Sequence, residues 1–298
     1  MRIGIPKEIK VLEGRVALIP DACAHLVRHG HEVYVQSGAG ELSGFPDGQY
    51  RELGVQVVDG AAALYEAAEL VVKVKEPQPA ELELLRSDHT LFCYLHLAAL
   101  PDLARGLQDI GLLAIAFETV AEDGVLPLLR PMSDIAGRLA VQIGTHLLHQ
   151  PHGGRGILLG GLPAAPRGDV VVIGAGSAGG NAAALAAAMG ADVTVFDRKW
   201  EKLEHMRALG ANVTALYPYH HTIDRAVRNA DLLVGAVLVP GARAPRVITR
   251  EMMQSMKTGS VLVDISVDQG GCAETTRPTT YEAPTYVEEG VTHFAVTN

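Results

Sequence analysis

The sequence predicts an α/β protein of two domains, each a mainly parallel sheet flanked by helices, and three observations predict it. Short apolar runs bounded by Gly, Pro and charged residues alternate with helical stretches along the chain, the pattern of parallel sheets. The run from Asp169 to Arg198 reads as one complete unit of strand, glycine turn, helix and strand. A length of 298 residues is enough for about two domains with a core each.

Taken in order, Arg2 to Pro6 is a short strand closed by proline. Lys7 to Ile19 is loop-like and carries Glu13-Gly14-Arg15. Asp21 is placed to N-cap a helix through His29, which Gly30 ends. Glu32 to Gln36 is a second strand, followed by a Gly-, Ser- and Pro-rich loop through Gly48. Leu70 to Val74 is a third, ending at Lys75-Glu76-Pro77. Thr90 to Leu95 is a fourth, ending at His96, and Leu113 to Phe117 a fifth, ending at Glu118-Thr119. This alternation defines a first domain over residues 1–128. In such sheets ligands bind beyond the carboxyl ends of the strands, where Lys75 and His96 fall.

Pro131-Met132-Ser133 opens a long helix near residues 133–149, with Ser133 as N-cap and Ile135, Leu139, Ile143 and Leu147 as its apolar stripe. It joins the first domain to the second, residues 129–298. Val170 to Ile173 is a strand buried on both faces, Ala182 to Met189 an Ala-rich helix, and Val193 to Phe196 the next strand. There follow a helix at Glu201–Ala208, a strand at Asn212–Leu216, a helix at Asp224–Asn229 and a strand at Leu232–Val237. Thr249 caps a helix that runs to Met256. Ser260 to Ile265 is a strand with Asp268-Gln269-Gly270-Gly271 beyond it, and Thr292 to Val296 is the last.

Gly174, Gly176 and Gly179 fall at the G-x-G-x-x-G spacing between a strand and its helix. Gly174 permits the tight turn, Gly176 lets backbone approach a pyrophosphate, and Gly179 lets helix and strand close together. Free N–H groups at the helix start attract phosphate. Asp197, at the end of the next strand, would accept hydrogen bonds from an adenine-ribose diol and repel a 2′-phosphate, which favours NAD over NADP. Arg198 beside it weighs the other way. The pattern predicts a Rossmann-like dinucleotide site; both domains share the βα alternation.

The net charge of −9 argues against nucleic acid or an anionic membrane as the main partner. The N-terminus MRIGIPKEIK does not read as a signal peptide, and the most apolar stretch, around 170–190, is too glycine-rich to span a membrane. Cys23, Cys93 and Cys272 are widely separated and odd in number, which predicts reduced thiols in a cytoplasmic protein.

A nicotinamide enzyme needs a proton acceptor near the carbon that loses hydride, and cations to hold a substrate carboxylate. Arg15, Lys75, His96 and Asp268 sit at strand ends or in loops suited to this. Each also has a plainer reading: a solvated arginine, a Lys75–Glu76 surface pair, a satisfied core histidine, a turn acid. His146, His149 and His152, and the adjacent His220 and His221, lack metal-ligand spacing with a carboxylate, so no metal site is expected.

The stretches MRIGIPKEIK, EGRVALIP, VKVKEP, YLHLA, RPMSDIAGRLAVQIG, PHGGRGILLGG, VGAVLVPGA and VDQGGCAETTRPTT, spread over the whole chain, closely resemble alanine dehydrogenase, of a group that includes the NAD-binding part of transhydrogenase. The resemblance implies L-alanine catabolism: reversible, NAD-dependent deamination of L-alanine to pyruvate and ammonium. It assigns Arg15 and Lys75 to the substrate, His96 to acid/base chemistry and Asp268 to water activation. It places NAD on Ser133, Gly174, Gly176, Ser177, Ala178, Gly179, Asp197, Lys202, Leu238, Val239, Ile265, Ser266, Val267, Asp268, Arg277 and Asn298. It further implies closure of the two domains on the reactants and a homo-oligomer, hexameric in the family. Relatives continue beyond the counterpart of Asn298 with a segment that returns to the substrate domain, so the chain is expected to lack that segment. Two other functions stay open: a transhydrogenase-like NAD(H)-binding subunit, and a truncated nucleotide-binding protein with little or no activity.

Overall fold

The computed structural model describes residues 1–297, which form two compact units, one from Met1 to Glu122 and one from Asp123 onward. In the first, strands and helices alternate: β1 (Arg2–Ile5), α1 (Pro20–Arg28), β2 (Glu32–Gln36), α2 (Asp47–Glu52), β3 (Gln56–Val58), α3 (Ala61–Ala67), β4 (Leu70–Val72), α4 (Pro79–Leu82), β5 (Thr90–Cys93), α5 (Pro101–Ile110) and β6 (Leu113–Ala116). The strands are parallel in the order β3-β2-β1-β4-β5-β6, so the winding direction reverses between β1 and β4. Apolar layers on the two faces bury it, one around Ile5, Val33, Val35 and Tyr50 and one around Leu64, Val71, Leu91 and Cys93.

The second unit repeats the design: α6 (Arg130–Leu147), β7 (Asp169–Ile173), α7 (Ser177–Ala188), β8 (Asp192–Phe196), α8 (Trp200–Arg207), β9 (Val213–Leu216), α9 (His220–Asn229), β10 (Leu232–Gly235), α10 (Arg250–Gln254), β11 (Val261–Asp264), β12 (Thr285–Glu288) and β13 (Val291–Phe294). Its order is β12-β13-β11-β10-β7-β8-β9, reversing between β7 and β10. Only the edge strand β12 runs antiparallel, against β13. Val170 and Val172 point into one core and Val171 and Ile173 into the other, which is why β7 is an unbroken apolar run.

Several local expectations change. Asp21 lies within the first turn of α1, whose N-cap is Ile19 with Pro20 opening the helix, so the fixed φ of proline rather than an Asp side chain starts it. Ser133 likewise lies inside α6, which begins at Arg130 after Leu129. The expected stripe of α6 is not its buried face: Ile135 and Leu139 are exposed, and Gly137, Ala140, Val141 and Gly144 are buried. The small residues bring α6 against α7 and β10: a Cβ on Gly137 would lie 2.1 Å from the Ala178 carbonyl oxygen, and one on Gly144 2.4 Å from Leu232. Backbone proximity outweighed apolar bulk.

Strands also end earlier than hydropathy suggests. β4 stops at Val72, β5 at Cys93, β10 at Gly235 and β11 at Asp264. Ile265 to Gln269 is a 3₁₀ turn rather than a strand end. The segments α2, β3, α3, α4 and β12 are too short to give a periodic signal. Thr249 does cap α10, its hydroxyl accepting from the Met252 N–H at 3.3 Å.

Gly137→Ala is expected to lower stability by ~1–3 kcal/mol through overpacking. Gly48→Ala, at a helical site with nothing within 4 Å of a new Cβ, should be neutral or stabilising by up to ~1 kcal/mol. Thermal denaturation of the two variants checks the pair.

Candidate active site

The carboxyl edge of the first sheet is built on buried charge. Glu8 follows β1 and Lys73 follows β4, the two strands at the reversal of winding. Lys73 is fully buried and donates to Glu8 Oε2 at 2.8 Å and to the Lys75 carbonyl at 3.0 Å; its Nζ lies 3.3 Å from Glu81 Oε1. The Tyr65 hydroxyl donates to the same Glu81 oxygen at 3.1 Å. Glu8 Oε1 accepts the backbone N–H groups of Val74 at 2.6 Å and Lys75 at 3.4 Å. Burial pushes the Glu8 carboxyl up, against the pull of Lys73 and with Glu81 adding to the push. Burial alone would lower the Lys73 ammonium, but Glu8 and Glu81 outweigh it and hold it above its ordinary range. One cation is thus shared between two carboxylates.

Lys75 is 2% exposed, which excludes a surface pair with Glu76; their charged atoms are 3.9 Å apart. Glu76 is also bound by Lys10 at 2.6 Å. Arg15 is half-buried and held by Glu13, whose Oε1 accepts from both the Arg15 backbone N–H at 2.9 Å and Nε at 2.7 Å. Burial would raise the Glu13 carboxyl, but these bonds from Arg15 outweigh it and keep it low.

His96 lies beyond the end of β5 with φ of 48°, in the left-handed region that a residue with a side chain rarely occupies. The buried carboxylate of Glu118, just after β6, accepts its N–H at 2.6 Å and that of Leu95 at 3.2 Å. The Tyr94 ring lies parallel to the imidazole, 5.8 Å between centroids. His96 Nδ1 is buried with no hydrogen-bond partner, unlike the satisfied core histidines His89, bonded to the Tyr65 carbonyl, and His293, bonded to Thr275 and the Val291 carbonyl.

In the second unit the glycine turn has the geometry the spacing demands. Gly174 has φ of 104° and Gly179 sits against it, where a Cβ would fall 1.7 Å from the Gly174 carbonyl oxygen. Gly176 faces open space, the nearest atom to a Cβ being Lys202 Nζ at 3.9 Å. The first turn of α7 (Ser177, Ala178, Gly179) therefore presents N–H groups with no acceptor inside the helix. Asp197 accepts from the Ala175 and Lys199 N–H groups, both at 2.8 Å, and pairs with Lys202 at 3.6 Å. Gly174, Gly176, Asp197, Lys202, Leu238 and Val239 line one cleft of 830 Å³, together with Tyr217, Pro218 and Ile223, which no sequence motif marks. The open glycine backbone, the helix N-terminus and the acid fit a dinucleotide.

The turn after β11 is held by buried Asp264, which accepts from the N–H groups of Ser266 at 3.0 Å and Cys272 at 2.8 Å and from the Thr276 hydroxyl at 2.6 Å. It carries Ile265, Ser266, Val267 and half-buried Asp268. Ser266 Oγ accepts from the Val237 N–H at 2.8 Å, tying this turn to the loop of Leu238 and Val239. Exposed Arg277 lies over the Tyr286 ring at 4.0 Å. Ser133, the first turn of α7 (Ser177 to Gly179), the turn Ile265 to Asp268 and Arg277 are outside the cleft lining, and Asn298 lies outside the described residues. The roles of Glu8, Glu13, Lys73, Glu81, Glu118 and Asp264 escaped the sequence reading: single charged residues carry no periodicity. Among the described residues no group of three or more His, Cys, Asp and Glu is placed to hold a metal.

Two doubly wound sheets, the second with a glycine turn opening on a dinucleotide-sized cleft, define the class of Rossmann-type nucleotide-binding proteins. The alanine dehydrogenase/PNT N-terminal domain matches residues 4–136 and the C-terminal domain of the same family residues 140–298; the chain belongs to this family. Alanine dehydrogenase of Halomonas elongata is 50% identical, aligned over 100% of this chain and 81% of that protein. A solved L-alanine dehydrogenase structure matches with a TM-score of 0.89 and 49% identity, over 100% of this chain and 83% of the other. The transhydrogenase from Sinorhizobium meliloti matches with a TM-score of 0.81 and 28% identity, over 99% and 86%.

Lys73→Met leaves Glu8 and Glu81 buried without their cation and is expected to destabilise the chain by ~3–5 kcal/mol at pH 8. Glu8 already titrates above its ordinary 4.5 when folded, so the folded state holds the extra proton and the deficit should shrink as pH falls toward 5. Urea denaturation at the two pH values checks both sign and size.

Proposed function

We infer that the chain catalyses the reversible, NAD-dependent oxidative deamination of L-alanine to pyruvate and ammonium. The observation that carries this is identity of 50% to an alanine dehydrogenase over the whole of this chain, against 28% to the transhydrogenase. The buried Lys75 and the half-buried Arg15 agree with it, because a carrier of hydride between nucleotides has no carboxylate to hold.

Arg15 and Lys75 bind the carboxylate and carbonyl or imine of the substrate. His96 moves the proton at the substrate nitrogen or oxygen, through whichever ring nitrogen faces the reactant. NAD, when bound, accepts the hydride leaving the alanine Cα. A water activated by His96 or Asp268 hydrolyses the imine, releasing ammonium and pyruvate. In the second unit the glycine turn and the start of α7 hold the pyrophosphate, and Asp197 takes the ribose diol. Its two oxygens already accept backbone N–H bonds, which fixes the carboxylate in place. Ser133, Ile265, Ser266, Val267, Asp268, Arg277 and Asn298 are assigned to the same cofactor by family likeness alone.

The reading extends to a cytoplasmic homo-oligomer. Three buried free thiols, Cys23, Cys93 and Cys272, suit a reducing compartment. Exposed Leu158 and Leu162 offer apolar surface for self-association. No helix among the described residues is long and apolar enough to cross a membrane.

L-Alanine and NAD⁺ at mildly alkaline pH should give NADH; binding of NAD without turnover would leave a nucleotide-binding protein only. His96→Ala is expected to abolish turnover while NAD affinity stays within a few fold, and unchanged turnover would remove His96 from the mechanism. Asp197→Ala should weaken NAD far more than NADP, measured by fluorescence titration; equal losses would refute the ribose role.

A further inference from the structure

The carboxyl edge of the first sheet repeats one arrangement at two adjacent strands. Past β4, Glu8 accepts the N–H groups of Val74 and Lys75. Past β5, Glu118 accepts those of Leu95 and His96. In each case the acid comes from the loop after the neighbouring strand: Glu8 after β1, beside β4, and Glu118 after β6, beside β5. In each case the second N–H belongs to a residue assigned to the chemistry. Both acids are buried, Glu8 at 7% and Glu118 at 4% exposed. From these observations we propose that Glu8 and Glu118 are paired positioning residues, which clamp the main chain at Lys75 and His96 and so set where their side chains stand. The proposal rests on the assignment of Lys75 to substrate binding and His96 to proton transfer.

The physical need differs at the two sites. β5 ends at Cys93, so Leu95 and His96 have left the sheet ladder and their N–H groups require other acceptors. His96 also holds φ of 48°, a strained conformation that persists only where surroundings enforce it. The imidazole Nδ1 makes no hydrogen bond, so no bond there orients the ring. Its direction follows from the backbone that Glu118 holds and from the parallel Tyr94 ring. At Lys75 the clamp closes from both sides. Glu8 takes the N–H, and Lys73, bonded to the other oxygen of Glu8, donates to the Lys75 carbonyl. Lys75 is thus fixed at both its peptide groups by one buried ion pair.

The two clamps serve different roles, so their loss should look different. Glu118 uses Oε1 for His96 and Oε2 for Leu95; Glu118→Gln must present an NH₂ to one of these donors and breaks a bond whichever way it turns. It is expected to lower kcat of pyruvate reduction by about ten- to a hundredfold, the scale of a catalytic group displaced by an ångström or less, with the KM for pyruvate within about threefold. With 4-deuterated NADH the isotope effect on kcat should grow, because the slowed step is the chemical one; a merely smaller folded fraction would leave it unchanged. Glu8→Gln must turn its NH₂ either toward Lys73 or toward the Val74 and Lys75 N–H groups, so it breaks one side of the clamp at Lys75, and should instead raise the KM for pyruvate about tenfold or more while kcat falls less. NADH affinity should stay at the wild-type value in both.

Wild-type kinetics in either variant overturns the proposal for that residue. So does a fall in kcat for Glu118→Gln with an unaltered isotope effect, or the same pattern in both variants. Lys75→Ala and His96→Ala are measured alongside. If these two remain active, the underlying assignment has failed; if they are dead while the glutamine variants are normal, only the clamp has failed.

Discussion

A parallel sheet leaves backbone N–H and carbonyl groups unpaired at its carboxyl edge, and both units of this protein are organised by how those groups are satisfied. In the first, two buried carboxylates, Glu8 and Glu118, accept consecutive N–H groups beyond β4 and β5. In the second, Asp197 and Asp264 do the same work for the turns after β7 and β11. The N–H groups at the start of α7 have no acceptor inside the helix and follow directly on Gly176, which lines the cleft.

This arrangement follows from topology. In each sheet the winding direction reverses between the first strand and the fourth, so the loops leaving those strands diverge and a crevice opens between them. The glycine turn fills this place in the second unit, and the Glu8–Lys73 pair fills it in the first. A buried ion pair contributes little net stability against an apolar equivalent. Its use here is directional: it fixes the peptide groups around Lys75, which an apolar cluster of equal volume would not.

The glycine turn and the strands β7 and β8 were legible in the sequence because their signals are local. Fixed glycine spacing, a run of four apolar residues and an acid at the next strand end need no distant partner to be read. Helix ends were less legible. A proline in the first turn starts α1 and α6 where Asp21 and Ser133 looked like caps, and both of these lie inside their helices. The buried face of α6 departed from the expected stripe at Ile135 and Leu139 because Gly137 and Gly144 allow close approach to α7 and β10. Most of the five supporting acids and the supporting lysine could not have been found from spacing: Glu8 meets Lys73, and Glu118 meets His96, across strands apart in sequence.

The sequence by itself determined the fold class, the dinucleotide turn and the family, because each rests on short-range pattern or on likeness spread along the whole chain. Tertiary structure decided which charges are buried and what holds them. It distinguished Lys75, sealed at 2% exposure, from a surface lysine, and His96, strained and with one ring nitrogen unbonded, from a satisfied core histidine. Burial and backbone conformation depend on elements joined only by folding, and no property of a residue's neighbours in sequence encodes them.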